Sequence, residues 1–206
     1  MTTQFKICGL TREADVDAAV AAGADAIGFV FYEKSPRYVE PRRAAMLAAR
    51  IPPFVTVTAL FVNAGTEAIA TVLDLVPVNL LQFHGDEDEA ACRHWARPYI
   101  RAARVRPGLD LLQYAAEFSS ARGLLLDAYV EGYGGGGQAF DWSVIPAALP
   151  LPLILSGGLT PENVGAAIRQ VRPVAVDVSS GVESAKGVKD ASKIAAFAAA
   201  VRAADQ

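Results

Sequence analysis

Two side chains suited to proton transfer, Cys8 and Asp127, each stand at the end of a short apolar segment. A lone cysteine is most simply a small buried apolar residue, but a thiolate beside a positive charge can act as a general base or nucleophile. A carboxylate at the end of an apolar run of one glycine and three leucines is costly to bury without partners. We therefore expect Asp127 to be functional, as an acid, and we leave both interpretations of Cys8 open.

Three further polar side chains, Arg37, Gln82 and His84, also follow apolar segments. Arg37 stands in a long loop and can pair with a substrate carboxylate through two parallel hydrogen bonds, although a surface loop arginine explains it equally well. His84 is open to three interpretations: a base, a metal ligand or a hydrogen-bonding support. The only other histidine is His94, so a histidine-rich metal site is excluded.

Two turns made of small residues follow consecutive apolar segments near the carboxyl terminus. The segment 153–156 is followed by Gly157-Gly158, and the segment 174–178 is followed by Ser179 and then Ser180-Gly181. Glycines turn tightly and leave backbone amides uncovered, so two adjacent turns of this kind can hold one phosphate dianion. Thr160-Pro161 predicts a helix with Thr160 as its N-cap, and the helix dipole would add to the attraction for an anion.

The hydrophobic pattern predicts eight short strands, each followed by a helix or a short helical segment. The predicted strands are Phe5–Ile7, Ala26–Phe31, Thr56–Phe61, Leu80–Phe83, Tyr99–Ala103, Gly123–Asp127, Leu153–Ser156 and Val174–Val178. The predicted helices begin at a Thr11 cap and at Pro161, and elsewhere cover Pro41–Arg50, Thr66–Leu75, Asp88–Ala96, Leu109–Ala116, Trp142–Leu149 and Ala191–Arg202. The first of them ends at Ala22.

Strands that alternate with helices over short connections imply a parallel sheet, and eight such units favour closure into a barrel. We therefore predict an α/β fold with a single (β/α)8 TIM-barrel domain over residues 1–206, which is compact against a typical size of about 250 residues. In such a barrel the residues after each strand converge on one face, and the loops after strands 7 and 8 are the usual phosphate site.

Composition excludes several classes of function. The chain has 52% hydrophobic residues, a net charge of −3 and no Lys/Arg-rich run, which argues against a nucleic-acid or anionic-membrane surface. The amino terminus has no apolar signal core, and no apolar run approaches membrane-spanning length. The two cysteines, Cys8 and Cys92, match no disulfide or metal-binding pattern. These features predict a soluble cytoplasmic protein.

In their order along the chain, these motifs resemble the phosphoribosylanthranilate isomerase family of tryptophan biosynthesis. The resemblance covers nearly the whole sequence and rests on Lys6–Thr11, Gly28–Phe31 with Ser35–Arg37, Leu60–Val62, Leu81–Gly85, Leu126-Asp127, Gly134-Gly135 with Phe140–Trp142, Ser156–Val164, Asp177–Glu183 and Gly187–Asp190. One departure is Gly136, where the family usually has Thr or Ser, together with Gln138, where Lys is common.

The resemblance implies an aldose–ketose isomerase that needs neither cofactor nor metal. It would convert N-(5-phosphoribosyl)anthranilate to 1-(2-carboxyphenylamino)-1-deoxyribulose 5-phosphate by an Amadori rearrangement. It further implies that Asp127 is the general acid, Cys8 the general base, and Arg37 the partner of the anthranilate carboxylate. Gln82 and His84 would support the site, and the turns at Gly157-Gly158 and Ser180-Gly181 would hold the phosphate. The expected assembly is a monomer or a homodimer, with a small phosphorylated molecule as its ligand.

Two other functions are compatible with the phosphate turns alone. One is an aldose–ketose isomerase of histidine biosynthesis, but its substrate has two phosphates and its acid–base pair is two aspartates, whereas the first strand here ends in Cys8. The other is a non-catalytic phosphosugar-binding module, against which the presence of both Cys8 and Asp127 argues.

Overall fold

Eight parallel strands form a closed barrel in the computed structural model, which describes residues 2–129 and 140–205. Each strand pairs with the next along the chain, and the ring closes where the last strand pairs with the first. The strands are β1 (Gln4–Cys8), β2 (Ala26–Val30), β3 (Thr56–Phe61), β4 (Leu80–Phe83), β5 (Tyr99–Val105), β6 (Leu124–Ala128), β7 (Leu153–Leu155) and β8 (Ala175–Val178). The predicted (β/α)8 barrel is confirmed.

The described helices lie around this barrel. They are α1 (Glu13–Ala21), α2 (Pro41–Ala48), α3 (Thr66–Leu75), α4 (Glu89–Arg93), α5 (Leu111–Glu117), α6 (Val164–Val171) and α7 (Ala191–Ala204). The helix predicted over Trp142–Leu149 is a single 3₁₀ turn, Trp142–Val144. Pro146 explains this early end, because proline lacks the amide that would continue the helix and forces an extended backbone on the residue before it. That residue, Ile145, has φ −77° and ψ 123°.

Two of the predicted helix starts are wrong. Thr11 does not cap α1, whose N-cap is Arg12; the Thr11 hydroxyl instead donates to the carbonyl of Gly187, 2.9 Å away. Thr160 does not cap α6, whose N-cap is Asn163. The Thr160 hydroxyl accepts from the amide of Glu162 inside the turn. Neither threonine hydroxyl therefore caps a helix.

A short hairpin that the sequence did not predict follows β8. A 3₁₀ turn, Ser180–Val182, leads into β9 (Glu183–Ala185) and β10 (Val188–Lys189), which pair antiparallel. Its backbone is tied to the first helix, because Arg12 donates to the carbonyl of Lys189 and the Lys189 amide donates to Asp15. The loop after β8 is thereby fixed against the loop after β1, on the face where the strands end.

The helix α7 covers the seam where the barrel closes. Its buried residues include Phe197, whose ring meets that of Phe5 on β1 edge-on at 6.4 Å between centroids. Burying a side chain of this size contributes roughly 1.5–3 kcal/mol to the free energy of unfolding. Among the described helices, including this 14-residue one, none has both the length and the apolar character needed to cross a bilayer.

Candidate active site

The carboxyl ends of the strands surround a cavity of about 700 Å³, a volume that includes the space at its open mouth. Eight of the nine residues predicted for the site line this cavity: Cys8, Asp127, Arg37, Gln82, His84, Gly157, Gly158 and Ser180. The ninth, Gly181, lines an adjoining hollow that shares Gly158 and Ser180 with the cavity. The structure therefore brings the predicted residues to one place, at the end of the barrel where ligand sites of this fold lie.

Cys8 is the last residue of β1, and it is buried in the wall of the cavity. Its carbonyl accepts a hydrogen bond of 3.0 Å from the Ser179 hydroxyl, which ties the end of β1 to the turn after β8. Burial raises the pKa of the Cys8 thiol, and the nearby Lys6 ammonium opposes that rise. A thiol with a raised pKa is a stronger base once it has lost its proton.

A row of hydrogen bonds orients Asp127. Its Oδ2 lies 3.1 Å from Nε2 of His84, and Nδ1 of His84 lies 3.1 Å from Nε2 of Gln82. The second carboxylate oxygen accepts from the amide of Ala128. The Gln82 amide oxygen is buried and has no partner among the described residues. Because the amide can present either its NH₂ group or its oxygen to Nδ1, the row fits Asp127 both with and without a proton.

Arg101 fixes the segment that carries His84, and sequence reasoning missed this residue. Its guanidinium donates to the carbonyls of Phe83 and Gly85, at 2.8 and 2.9 Å, on either side of the histidine. The same group lies 4.8 Å from the ring centre of Phe118, and its side chain is buried. The sequence did contain a signal for it, because an arginine in the middle of a predicted strand brings a charge that needs partners when it is buried.

Arg37 is held by a carboxylate that sequence reasoning also missed. Its Nε and Nη2 donate to the two oxygens of Glu183 at 2.7 and 2.9 Å, and Lys189 donates to the same carboxylate at 2.9 Å. Burial would raise the pKa of Glu183, but the Arg37 hydrogen bond and the Lys189 charge hold it below its usual range. The stem of Arg37 packs on Gly9, where a Cβ would lie 2.6 Å from Cδ. Glu183 thus leaves Nη1 of Arg37 for another acceptor.

The two glycine turns touch each other. A Cβ on Gly181 would lie 1.8 Å from the carbonyl oxygen of Leu159, so the turns after β7 and β8 meet with no room for a side chain between them. Gly157 and Gly158 have φ of 82° and 64°, which favours glycine, and a Cβ on Gly157 would lie 2.4 Å from the amide nitrogen of Ala128. A larger residue at Gly181 would push the two turns apart, and one at Gly157 would push the first turn away from the end of β6.

The amides of the first turn are available to a ligand. Within residues 2–129 and 140–205, neither the Gly157 nor the Gly158 amide has an acceptor. Asn163 braces the turn, because its side chain donates to the carbonyl of Gly158 and accepts from the amide of Thr160. Free, oriented amides of this kind form concavities that bind anions.

Some residues singled out in the sequence lie elsewhere. Cys92 is buried on α4, away from the cavity. The run Gly134–Gly137, with the departures at Gly136 and Gln138, lies outside the described residues. In the part of the chain that the structure describes, no group of three or more His, Cys, Asp or Glu side chains could hold a metal ion.

Comparison with known proteins identifies the family. Residues 5–200 match the family model of N-(5'-phosphoribosyl)anthranilate (PRA) isomerase. The N-(5'-phosphoribosyl)anthranilate isomerase of Dechloromonas aromatica is 69% identical over 206 residues, which cover 100% of this chain and 99% of that one. The chain belongs to the N-(5'-phosphoribosyl)anthranilate isomerase family. It is an isomerase, and its reaction is the isomerisation of phosphoribosylanthranilate in tryptophan biosynthesis.

Solved structures of phosphoribosylanthranilate isomerases share the fold. One was determined in complex with reduced 1-(o-carboxyphenylamino)-1-deoxyribulose 5-phosphate; it is 41% identical, has a TM-score of 0.87 and covers 98% of this chain and 100% of its own. Another shows monomers derived from the dimeric enzyme of Thermotoga maritima, at 38% identity and a TM-score of 0.85, covering 97% and 98% of the two chains. The family assigned from sequence motifs is therefore confirmed.

Proposed function

We propose that the chain converts N-(5-phosphoribosyl)anthranilate to 1-(2-carboxyphenylamino)-1-deoxyribulose 5-phosphate, with Asp127 as general acid and Cys8 as general base. One observation carries this assignment: a thiol and a carboxylate line the same cavity as two glycine turns and an arginine. The ligand of a relative, named above, carries the carboxylate and the phosphate that such a cavity would hold at its two ends.

The proposed chemistry needs one proton donor and one proton acceptor. Asp127 gives its proton to the furanose ring oxygen, so that the ring C–O bond breaks and a Schiff base forms between the sugar and the anthranilate nitrogen. The Cys8 thiolate then takes the proton from C2, and the electrons of that bond form an enolamine. Tautomerisation of the enolamine gives the aminoketose. The oxidation of C2 balances the reduction of C1, so the rearrangement is complete without an external oxidant or reductant.

His84 and Gln82 are assigned a supporting role. The 3.1 Å contact between His84 Nε2 and Asp127 Oδ2 orients the acid, and Gln82 orients the imidazole from its other side. A histidine placed in this way adjusts as Asp127 loses and regains its proton. Neither residue needs to touch the reacting carbon atoms in this assignment.

Arg37 is assigned to the anthranilate carboxylate. Glu183 accepts from Nε and Nη2 of its guanidinium, which leaves Nη1 for the substrate, and Arg37 lines the cavity. A charge-assisted hydrogen bond to a carboxylate is about twice as strong as a neutral one. The arginine would therefore select substrates that carry a carboxylate beside the reacting nitrogen.

The phosphate is assigned to the two touching turns. The turn with Gly157 and Gly158 and the turn with Ser180 and Gly181 line the cavity and its adjoining hollow, and they touch where Gly181 meets Leu159. Four amides directed at one dianion hold the substrate without contributing to the choice of reaction. We further propose that the working unit is one barrel domain over residues 1–206, in the cytoplasm, as a monomer or a homodimer.

Single substitutions test the acid–base assignment. Cys8→Ala and Asp127→Asn should each lower kcat by on the order of 10²–10⁴, the usual scale for losing one acid or base. The assay follows the loss of fluorescence of freshly prepared phosphoribosylanthranilate, with circular dichroism as the check of folding. Matched controls are Cys92→Ala on α4 and Asp74→Asn on the exposed face of α3, which should keep normal turnover. Near-normal turnover of Cys8→Ala or Asp127→Asn would remove that residue from the mechanism.

A further inference from the structure

Lys6 is a buried cation next to the site that the proposed mechanism leaves without a role. It lies on β1 two residues before Cys8, so both side chains project from the same face of the strand. Its residue is only 5% exposed, and its Nζ donates to Oδ1 of Asp177 at 2.8 Å. Taking an ammonium out of water is costly even when it is paired. The ion pair of Lys6 with Asp177 could serve stability alone. The position of the Lys6 side chain beside Cys8 argues instead for a role in the site.

The Lys6 side chain runs towards the Cys8 sulfur. Both lie against Gly28 on β2, which pairs with Cys8 in the sheet. A Cβ on Gly28 would lie 2.8 Å from Cys8 Sγ, 2.9 Å from Lys6 Cε and 3.2 Å from Lys6 Nζ. The sulfur and the ammonium therefore share the small space that the missing side chain of Gly28 leaves open. A bulkier residue at that position would separate them.

The charges around Cys8 leave one cation in excess. Lys6 on β1, Lys189 on β10 and Arg37 in the loop after β2 are positive; Asp177 on β8 and Glu183 on β9 are negative. Asp177 pairs with Lys6, while Glu183 is shared by the other two cations. Across the cavity lie His84 and Asp127, which are hydrogen-bonded to each other at 3.1 Å and are not included in this count. A Cys8 thiolate would neutralise the excess positive charge of this buried group.

We propose that Lys6 is the positioning residue that stabilises the Cys8 thiolate, and that Asp177 limits how much of its charge the sulfur feels. The role of the thiolate in proton transfer rests on the proposed function. In the C2–H cleavage step the proton moves from carbon to sulfur, and Lys6 keeps all of its protons. The Lys6 ammonium thus stabilises the Cys8 thiolate before the step. This charge–charge attraction is lost when the sulfur takes up the proton.

The directions of the pKa shifts agree with this geometry. Burial would lower the pKa of Lys6, but the charges of Asp177 and Cys8 outweigh it and raise the pKa to about 12, so Lys6 stays charged at any working pH. Burial raises the pKa of the Cys8 thiol, the Lys6 charge lowers it, the Asp177 charge raises it, and Lys189 lowers it slightly. Lys6 and Asp177 therefore shift the pKa of the Cys8 thiol in opposite directions.

The test is to measure the thiol pKa of Cys8 directly. Cysteine labelled with ¹³C at Cβ gives one resonance for each of Cys8 and Cys92, the only cysteines, and Cys8→Ala assigns them. Titration of the shift should show a pKa raised by about one unit or more in Lys6→Met and lowered in Asp177→Asn. The matched control is Lys186→Met, the same change at an exposed lysine between β9 and β10, which should leave the thiol pKa where it was.

A double variant keeps the test valid if Lys6→Met fails to fold with Asp177 left unpaired. Lys6→Met/Asp177→Asn replaces the pair by neutral residues, and its Cys8 pKa should lie above that of Asp177→Asn alone. If Lys6→Met and the double variant show no rise, or if both single variants shift in the same direction, the inference is overturned. The proposed function fails separately: Cys8→Ala would then retain turnover, or the alkaline-rising limb of kcat/KM would not follow the measured thiol pKa.

Discussion

At the scale of single residues, one buried carboxylate organises the binding end of the site. Glu183 receives hydrogen bonds from both Arg37 and Lys189, and its side chain is only 7% exposed. This arrangement presets the guanidinium before any ligand arrives, which reduces the ordering that binding would otherwise require. The proposed contact of Arg37 with the substrate carboxylate and the expected acid sensitivity of the fold both depend on Glu183.

Arg37→Met should weaken substrate binding more than it slows the chemistry. Losing a charge-assisted hydrogen bond should raise KM on the order of 10–100-fold while changing kcat much less. Steady-state kinetics measures the two constants, with Arg42→Met, which removes an exposed arginine of α2, as the control. An unchanged KM in Arg37→Met would argue against its contact with the anthranilate carboxylate.

Glu183 should make stability depend on acidity. Its pKa in the folded protein is below its usual range, so the folded state binds fewer protons there than the unfolded state. Its contribution is therefore complete above the unfolded pKa of about 4.3 and is lost as the pH falls through the folded value. In urea unfolding, the stability deficit of Glu183→Gln should be largest near pH 7 and should shrink below about pH 4. A deficit that is the same at both pH values would contradict this.

At the scale of elements, the site is made by turns that meet across neighbouring strands. Gly181→Ala places a Cβ against the carbonyl of Leu159, where no room exists, so the turns after β7 and β8 must separate. Because they are proposed to hold the phosphate together, KM should rise by at least about 10-fold, which corresponds to the loss of about one hydrogen bond to a charged group. The control is Gly65→Ala, whose added Cβ would meet nothing within 4 Å, and it should leave KM unchanged. Equal KM values in the two variants would remove the turns from phosphate binding.

The elements show where local sequence signals suffice and where they fail. The helix predicted over Thr66–Leu75 has those bounds in the structure, and Pro41 begins α2 as expected, because both depend on signals within one turn. Thr160 was misassigned because its hydroxyl accepts from the nearby Glu162 amide instead of capping α6. Thr11 was misassigned because its partner is set by the fold: its hydroxyl donates to the carbonyl of Gly187, far along the chain. The β9–β10 hairpin was missed for the same reason, since its contacts are with the first helix.

At the scale of the whole molecule, closure of the barrel makes the site. Pairing of β1 with β8 brings Lys6 to Asp177 across 171 positions of sequence. The positions at the strand ends could be predicted, because alternation of strands and helices places them on one face. The roles of Lys6, Glu183 and Lys189 could not be predicted from sequence. Their partners lie on other elements of the chain, and only the folded barrel brings them together.

Phe197 tests how far stability depends on that closure. Its ring is fully buried between α7 and β1, so Phe197→Ala should lower the free energy of unfolding by about 3–5 kcal/mol. Met46→Ala, a truncation on the exposed side of α2, should change it by less than about 0.5 kcal/mol. Chemical denaturation measures both. If Phe197→Ala lowered the free energy of unfolding by less than about 1 kcal/mol, α7 would contribute little to keeping the barrel closed.

The most direct test of the proposed mechanism assigns each residue to its own proton transfer. Substrate carrying deuterium at C2 is compared with unlabelled substrate in single turnovers of the unmodified enzyme, Cys8→Ser and Asp127→Asn. If Cys8 removes the C2 proton, its slow variant should show the full primary isotope effect, because C–H cleavage limits the rate. Asp127→Asn should be slow with the effect suppressed, because ring opening limits the rate instead. The reverse pattern, or an isotope effect that neither substitution alters, would contradict the assignment of Cys8 as base and Asp127 as acid.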